Sequence, residues 1–576
     1  MKKALVCGIV SALLFGGGGE ARAEEPLYSE RNGIGLKPKP TTAGPVSGQG
    51  VTVDPRRSLA VTEKAILSKF LLKDVLDKLA LQNGNTGLTS AQLFRQLWDT
   101  QNPSGKGQAD LTAVTSYPRC SDNANKLNGF PYACREAEGA QASPTSAITM
   151  DSYQAVGLFN RFDLMDVEGA VECGEYRIVF AKKDPTAGRN FIIFEGALSL
   201  PPAGWPLGHE GCRPVAKFWA DLTNDPDVNS RATKLKNFYF NGLPGFLPVI
   251  HVKHYGVDNP MGQVRTNQFI APTWMLREFK LARNCPTSTT CTLKFVPQTA
   301  KNTPAGSLFN PNNTSTLAKS FQAHLVTQVK ALAEKDVNRF HYLVLNQFNM
   351  GQSDAQTTPS TEDDYVTQFK TVTTSTFRTN IVNELKRIGS TLTPEDIVAR
   401  AQALSCGGCH RRSGGAPMGG FNFPSPAGFV HSSDKDDPAD TTRYQLSSAL
   451  VDTFLPQRKA VLEHFLNTPA LNSQFTSQSV PSTATPGQTF PVKITVKNLG
   501  TRLWQKPDAT LIPVSSQKWG VPKADVNTKV FLEKETTFTF NVVAPTVPGT
   551  YPFQWRMALN GGGFGPSSTL VNIIVK

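Results

Sequence analysis

The chain lacks an apolar run long enough to cross a bilayer. Its N-terminal run, Ala4 to Phe15, falls short of the roughly 20 residues that a spanning helix needs, and no later stretch approaches that length. Four common signatures are also missing: the Gly-x-Ser-x-Gly elbow, the His-Glu-x-x-His zinc helix, the Walker A loop and the glycine-rich dinucleotide fingerprint. These absences argue against a membrane-spanning protein and weaken hydrolase and nucleotide-binding interpretations.

Concentrated positive charge is missing as well. Lys and Arg number 59 against 46 Asp and Glu, which gives a formal net charge of +13, yet the sequence has no basic block and no basic stripe with interleaved aromatics. Nucleic-acid-binding domains concentrate their positive charge in such patches. We therefore expect no nucleic-acid partner. The thinly spread surplus favours weak attraction to acidic partners or anionic envelope surfaces.

The first 23 residues have the three parts of a secretory signal peptide. Lys2 and Lys3 precede the apolar run, and Ala21-Arg22-Ala23 follows it as a small-residue cleavage site. We expect residues 1–23 to be removed and the product to be periplasmic or secreted, in a bacterial envelope, with no transmembrane segment after removal of the signal. Residues 24–57 are rich in Pro, Gly, Thr and Ser and predict a flexible leader.

The chain has nine cysteines, of which Cys7 lies within the signal peptide. Six of the remaining eight lie outside the motif described next, and an even number of cysteines in an exported chain indicates disulfides. Six cysteines allow many connectivities, and the sequence does not choose among them. Pairing of sequence neighbours is our prediction: Cys120–Cys134, Cys173–Cys212 and Cys285–Cys291.

The last two cysteines lie in the run Cys406-Gly407-Gly408-Cys409-His410. A Cys-x-x-Cys-His run is the attachment sequence of c-type haem, in which the thiols bond to the porphyrin and the histidine ligates the iron. We expect one covalent haem c, with Cys406 and Cys409 as thioether anchors and His410 as the proximal iron ligand. The competing interpretation is a disulfide next to a histidine of no special role.

The region around this motif resembles c-type cytochromes. Thr393-Pro394-Glu395-Asp396 has the capping residues that open a helix, and this helix runs into the motif as the first helix of those proteins does. Residues 461–466 predict a C-terminal helix that packs across it. The resemblance implies an α-helical, cytochrome c-like haem region over residues 390–470.

The same resemblance implies a methionine as distal iron ligand. Met418 is the single Met between His410 and Lys493, and it lies close behind the motif on a glycine-rich loop. His431 has a longer tether and is an equally good candidate, while His464 is a third. A distal site that is open or holds water is a further alternative.

Residues 58–389 predict a mixed α/β domain of unknown type. Apolar periodicity predicts helices near 61–81, 91–98, 276–282, 321–332 and 377–388, and β-rich runs at 176–180 and 191–194 predict a buried strand pair. Charged residues lie close to these strands: Asn160-Arg161-Phe162-Asp163, Glu175 and Arg177. We expect them either to line a pocket or, as is more common, to form salt bridges.

The C-terminal residues 474–576 predict an all-β sandwich. Apolar positions alternate at Phe490, Val492, Ile494 and Val496, which is typical of antiparallel strands. Stretches such as Asn498-Leu499-Gly500-Thr501-Arg502-Leu503-Trp504 and Gln554-Trp555-Arg556-Met557 resemble the four-tryptophan Ig-like domain, and Trp519 is a third matching tryptophan. The resemblance implies an accessory module that contacts a protein or glycan ligand or acts as a spacer, whereas the tryptophans can equally be core residues.

Together these features predict a multidomain exported protein with one haem. The leading hypothesis is a c-type cytochrome-like protein that transfers electrons between redox partner proteins or small-molecule donors and acceptors. A haem enzyme, peroxidase-like or oxygenase-like with an open distal site, is the first alternative. A surface binding protein with a structural haem or disulfide is the second.

Overall fold

The structure is a computed structural model that describes residues 50–84, 87–165, 172–186, 188–200, 208–259, 261–286, 291–355, 362–514 and 519–576. The expected signal peptide, residues 1–23, and the leader residues 24–49 lie outside the described residues. Residues 50–57, which were expected to belong to the leader, are ordered. Val53 is buried in the first hydrophobic core, and its amide donates a hydrogen bond to Glu463.

An eight-stranded antiparallel sheet dominates the first structural unit. Its strands follow the order β1-β4-β5-β6-β7-β8-β10, and β9 also pairs with β8, whereas β2 and β3 form a separate hairpin. The strands are β1 (Ala60–Val61), β2 (Lys126–Leu127), β3 (Phe130–Pro131), β4 (Tyr153–Arg161), β5 (Glu172–Lys182), β6 (Arg189–Ser199), β7 (Gln263–Phe269), β8 (Met275–Asn284), β9 (Thr292–Gln298) and β10 (Gln352–Asp354). The predicted pairing of runs 176–180 and 191–194 is confirmed, because these residues face each other in β5 and β6.

Helices pack on one face of this sheet. They are α1 (Pro55–Ser58), α2 (Lys64–Leu67), α3 (Leu72–Leu81), α4 (Ser90–Asp99), α7 (Arg213–Asp221) and α8 (Val228–Phe240), while the short helices α5 (Ala109–Thr112) and α6 (Glu136–Gly139) lie beside α4. Alternate sheet residues such as Ile178 and Phe194 join helix residues such as Trp219 in a single core. The predicted helix at 61–81 is divided into α2 and α3, and the helix predicted at 276–282 is wrong because these residues form β8.

A second unit is helical and has its own core. It contains α9 (Thr316–Thr327), α10 (Val329–Leu332), α11 (Tyr365–Lys370), α12 (Thr376–Arg387) and α13 (Pro394–Ala403). Its core runs from Ala305 to Phe423, so the helical packing begins well before residue 389, where the sequence predicted the first domain to end. Helix α13, which leads into the Cys-x-x-Cys-His motif, therefore packs on helices that were assigned to the preceding domain.

The all-helical region expected over residues 390–470 is not seen. After the motif the chain forms the hairpin β11 (Ser432–Asp437) and β12 (Asp440–Leu446), then helix α14 (Leu455–Asn467). Apolar residues of α13, such as Ile397, lie in the second core, whereas Val461 and Phe465 of α14 lie in the first core. The two helices therefore do not share a core, and this stretch joins the sheet unit to the helical unit.

The C-terminal region is all-β, as the sequence predicts. Its strands are β13 (Ser473–Ser479), β14 (Thr483–Ala484), β15 (Thr489–Asn498), β16 (Ala509–Pro513), β17 (Ala524–Asp525), β18 (Glu535–Val543), β19 (Gly549–Phe553), β20 (Trp555–Leu559), β21 (Gly562–Ser567) and β22 (Val571–Val575). They form the sheets β13-β15-β18, β14-β22-β19 and β17-β16-β20-β21. Trp504, Trp519 and Trp555 are all buried in the core that these sheets share.

All three predicted disulfides, Cys120–Cys134, Cys173–Cys212 and Cys285–Cys291, are present. Such crosslinks are typical of proteins that fold in an oxidising compartment. Within the described ranges, no helix combines the length and the apolar character that a membrane crossing requires.

Candidate functional site

Helix α13 leads into the Cys-x-x-Cys-His motif and positions it. The Thr393 side chain accepts a hydrogen bond from the Asp396 amide, and the Asp396 side chain accepts one from the Thr393 amide, which forms the capping box. The helix ends at Ala403, and a π-helical turn, Gly408–Arg412, then carries Cys409 and His410. Such turns recur at functional sites because they displace side chains from the regular helical register.

Both glycines between the cysteines are required by close packing. A Cβ atom on Gly408 would lie 1.7 Å from the carbonyl oxygen of Gln402, and one on Gly407 would lie 2.5 Å from that of Asp354. Neither backbone oxygen can move aside without breaking local structure. The motif therefore fits against its neighbours only with glycine at these positions.

The two motif cysteines are not disulfide-bonded to each other. Burial raises the pKa of the Cys409 thiol to about 12 and raises that of Cys406 as well. A nucleophilic cysteine needs a lowered pKa so that the thiolate is present near neutral pH. The environment therefore disfavours thiolate catalysis and keeps both sulfurs protonated.

His410 is held as a neutral imidazole with one free nitrogen. Its Nδ1 lies 2.8 Å from the carbonyl oxygen of Phe429, and because a carbonyl only accepts, Nδ1 carries the proton. Burial lowers the pKa of His410 to about 4. The ring of Trp274 stacks on the imidazole at a centroid distance of 5.1 Å. Nε2 is left unprotonated, which is the arrangement in which histidines ligate metals.

His431 lies beside the motif. Its ring centroid is 5.2 Å from that of His410, and its Nε2 lies 3.3 Å from the Sγ of Cys409. The Nδ1 atom is 2.9 Å from the Ser447 hydroxyl, which fixes the orientation of the ring. Burial lowers the pKa of His431 well below its usual range, so this imidazole is also neutral.

A cavity of about 620 Å³ borders this cluster. It lies between the sheet, the helical unit and α14, and its volume is within the range of small-molecule and cofactor sites. Cys406, Cys409, His410 and His431 all line it. Apolar walls come from residues such as Phe340, Phe423, Phe454 and Val461.

The wall formed by the sheet is charged, although it is buried. Arg161 faces Glu175 across β4 and β5, Arg177 faces Glu195 across β5 and β6, and Arg265 faces Glu278 across β7 and β8. The separations of the charged groups include 3.2 Å for Arg177 to Glu195 and 3.0 Å for Arg265 to Glu278. Alternation along the strands places these charges on the cavity face, together with apolar residues such as Val179 and Ile193, whereas Ile178 and Phe194 face the opposite core.

Both expectations for the charged segment at the first strands are therefore met. Arg161, Asp163, Glu175 and Arg177 form salt bridges and also line the cavity. Trp274, Arg265, Lys301 and Arg458 were not predicted from the sequence as residues of this site. No local sequence pattern links them to the motif.

The remaining ligand candidates lie elsewhere. Met418 does not line the cavity: it is buried in the core of the helical unit, and its carbonyl oxygen accepts a hydrogen bond from Arg400. His464 lies in the last turn of α14 and is also absent from the cavity wall. Of the three candidates for a distal ligand, His431 alone borders the cavity.

The residues at the site fit a covalently attached haem. Two protonated thiols and a histidine with a free Nε2 border a cavity of suitable volume, and a haem iron needs only one or two protein ligands. In the described part of the chain, no group of three or more His, Cys, Asp or Glu side chains is arranged to hold a bare metal ion.

No protein-family model matches the chain. A search of curated proteins gives no match either. The functional interpretation therefore depends on the geometry and chemistry of this site.

Proposed function

We propose that the protein is an exported c-type haem protein that transfers single electrons. Cys406 and Cys409 hold one haem through thioether bonds, and His410 is its proximal iron ligand. The observation that carries the proposal is the convergence of both thiols and the free Nε2 of His410 on one cavity. The spacing of the motif is the one that c-type attachment requires.

The haem supplies an iron that changes its charge by one electron, and the chain sets the surroundings of that iron. The Phe429 carbonyl and the Trp274 ring fix the orientation of His410. A hydrogen bond to the second nitrogen of a ligating histidine makes the ligand more basic. His431 is the distal ligand in this proposal, oriented by Ser447. The cytochrome c-like character lies in this local chemistry rather than in the surrounding fold.

The three disulfides support a periplasmic or secreted location, since such crosslinks persist in oxidising compartments. The partners in this proposal are a redox protein or a small-molecule electron donor or acceptor. The C-terminal sandwich, proposed to be Ig-like, is an accessory module that contacts a protein or glycan ligand.

A haem-dependent oxidoreductase is the second candidate, and a specific observation favours it. The cavity wall carries buried charged residues from β4, β5, β6 and β7, which an electron shuttle does not need. Such groups can position a polar substrate or move protons beside an iron with an open distal site. In this candidate His431 is a cavity residue and not an iron ligand.

Visible spectroscopy of the exported protein separates these candidates. We expect reversible reduction by one electron and the spectrum of a six-coordinate iron in both oxidation states, with slow or no binding of added cyanide and carbon monoxide. Rapid binding of these ligands to an open site would reject the electron-transfer proposal in favour of catalysis. A protein without haem absorbance would reject both.

A further inference from the structure

Apart from Arg339, which pairs with Glu334 at 3.9 Å, the charged groups around the cavity form two sets, and the first is balanced. Its members belong to the sheet wall or lie against it: Arg177, Arg265, Lys301, Glu175, Glu195 and Glu278. Three cations meet three carboxylates. The Lys301 ammonium also donates hydrogen bonds to Gln263, at 2.5 Å, and to the Met261 carbonyl, at 2.9 Å. This set needs no further counter-ion.

The second set has a surplus cation. Arg161 pairs with Asp163 at 2.8 Å, and Arg458 approaches the same carboxylate oxygen at 3.8 Å. No second carboxylate of the described residues forms an ion pair with either guanidinium. Both arginines line the cavity, and Arg458 also lies near the ring of Phe454, which is on the His431 side. Two positive groups therefore share one negative group at the cavity wall.

The hydrogen-bond donors of this pair are also incompletely used. Arg161 directs Nε and Nη2 at Asp163, which leaves Nη1 available, and the guanidinium of Arg458 makes no hydrogen bond to any described residue. The two side chains are mostly shielded from solvent, with 14% of Arg161 and 13% of Arg458 exposed. A cation in such a place without a full complement of acceptors is costly. Burial and the neighbouring Arg161 lower the pKa of Arg458 to about 9, the direction expected where positive charge is in excess.

We propose that Arg161 and Arg458 form a binding site for one carboxylate group of a molecule held in the cavity. A carboxylate would balance the charge and accept hydrogen bonds from the planar guanidinium groups, which match its geometry. Two sources have this chemistry: a propionate of the haem, in which case the site rests on the proposed function, and a small organic acid that enters beside the haem.

Calorimetric titration with acetate, succinate and benzoate at low chloride tests the site. The full chain is used in its haem-loaded form and in a haem-free form made in a host without c-type maturation, with loading measured separately by mass. Arg458→Gln is compared with Arg443→Gln, a control of similar burial that pairs with Asp440 and Glu63 away from the cavity. Circular dichroism checks that each form is folded.

We expect saturable binding that weakens at least tenfold in Arg458→Gln and stays unchanged in Arg443→Gln. Binding to the haem-loaded protein assigns the site to a small organic acid, whereas binding to the haem-free form alone assigns it to a haem propionate. Absence of binding to both forms, or equal binding by Arg458→Gln, would overturn the proposal. Because loading is measured independently, a protein without haem would refute the proposed function and leave this test intact.

Discussion

His431 and Met418 make the distal ligand testable at the scale of single residues. His431 borders the cavity with Nε2 near Cys409, whereas Met418 is packed in a separate core. We predict that His431→Ala converts the iron from six-coordinate to five-coordinate or water-ligated, because its distal ligand is removed. Met418→Leu should leave the spectrum unchanged and cost less than about 1.5 kcal/mol of stability, as volume-conserving core substitutions do.

Visible and near-infrared spectra of both variants measure this outcome, and urea unfolding measures their stability. The two substitutions serve as controls for each other, because both remove a candidate ligand from the same stretch of chain. A spectrum that changes in Met418→Leu and not in His431→Ala would show that the methionine is the ligand, and the described arrangement around His431 would then be irrelevant to the iron.

Asp363 is connected to the motif backbone by hydrogen bonds, and its ionisation makes the stability of the protein depend on pH. Its carboxyl accepts hydrogen bonds from the Ser353 hydroxyl, at 2.7 Å, and the Asp354 amide, and the Ser353 hydroxyl in turn accepts one from the Gly407 amide at 2.8 Å. Burial raises the pKa of Asp363 to about 7. The folded protein therefore retains a proton here that the unfolded chain has lost above pH of about 4.

Because the pKa of Asp363 is higher in the folded protein than in the unfolded chain, ionisation of this carboxyl destabilises the fold. The contribution of Asp363 is greatest below the unfolded pKa and is lost as the pH rises from about 4 to about 7, by at most about 1.4 kcal/mol for each pH unit. Asp363→Asn, which cannot ionise, should remove this decline in stability. The control Asp452→Asn, at an exposed position, should leave the decline unchanged. Urea unfolding at several pH values measures the slopes, and identical slopes for Asp363→Asn and the parent protein would contradict the assignment.

At the scale of elements, the disulfides differ in the length of chain that they close. Cys173–Cys212 spans 39 residues, whereas Cys285–Cys291 spans 6. In the chain-entropy model a longer loop gives more stabilisation, on the order of 4 kcal/mol against 2 kcal/mol here. We predict that Cys173→Ser with Cys212→Ser lowers the midpoint of urea unfolding more than Cys285→Ser with Cys291→Ser. The reverse order would show that native-state contacts outweigh loop closure.

Some elements were readable from the sequence because their signals are local. The capping residues of Thr393-Pro394-Glu395-Asp396 predicted the start of α13, and the helix predicted at 377–388 corresponds to α12, Thr376–Arg387. The helix predicted at 276–282 was wrong. The apolar spacing of these residues suits a helix, but pairing with β7 and β9 makes them a strand. Propensity is a weak guide where tertiary pairing decides the outcome.

The charged wall of the cavity shows a different limit. Arg177, Glu195 and Arg265 each lie on a separate strand, and only the register of β5, β6 and β7 brings them to one face. The motif itself was evident in five consecutive residues. The three disulfides predicted from the sequence are present, whereas haem attachment at the motif stays a prediction. The residues contributed by other units could not be predicted, since their positions depend on long-range packing.

At the scale of the whole molecule, the sandwich is the most independent part. The residues of its core belong to neither of the other two cores. It meets the sheet unit through Leu532, which is buried in the first core, and through polar contacts such as Arg213 to Thr501, at 3.1 Å, and the Glu210 amide to the Thr501 carbonyl, at 3.0 Å. We predict that residues 469–576 fold alone. Near-ultraviolet circular dichroism and a cooperative thermal transition would show this, because Trp504, Trp519 and Trp555 are buried only in a folded core.

A fragment with no near-ultraviolet signal would indicate that the C-terminal region needs the contacts with Glu210 and Arg213. No such division is expected between the sheet unit and the helical unit, because the chain passes from the first core to the second between Phe295 and Ala305 and returns to the first at Val430 and in α14. The sequence could not predict this path between the two cores, since the apolar pattern of a helix does not show which other element it packs against.

Attachment of a haem by Cys406 and Cys409 underlies every other role proposed for this site. Intact mass of the denatured protein, exported from a host competent for c-type maturation, tests it most directly beside a Cys406→Ala, Cys409→Ala variant. We predict a parent protein heavier than its mature polypeptide by one haem and a variant without that addition. A parent protein at the mass of the bare chain, or lighter by two hydrogens through a Cys406–Cys409 disulfide, would contradict it.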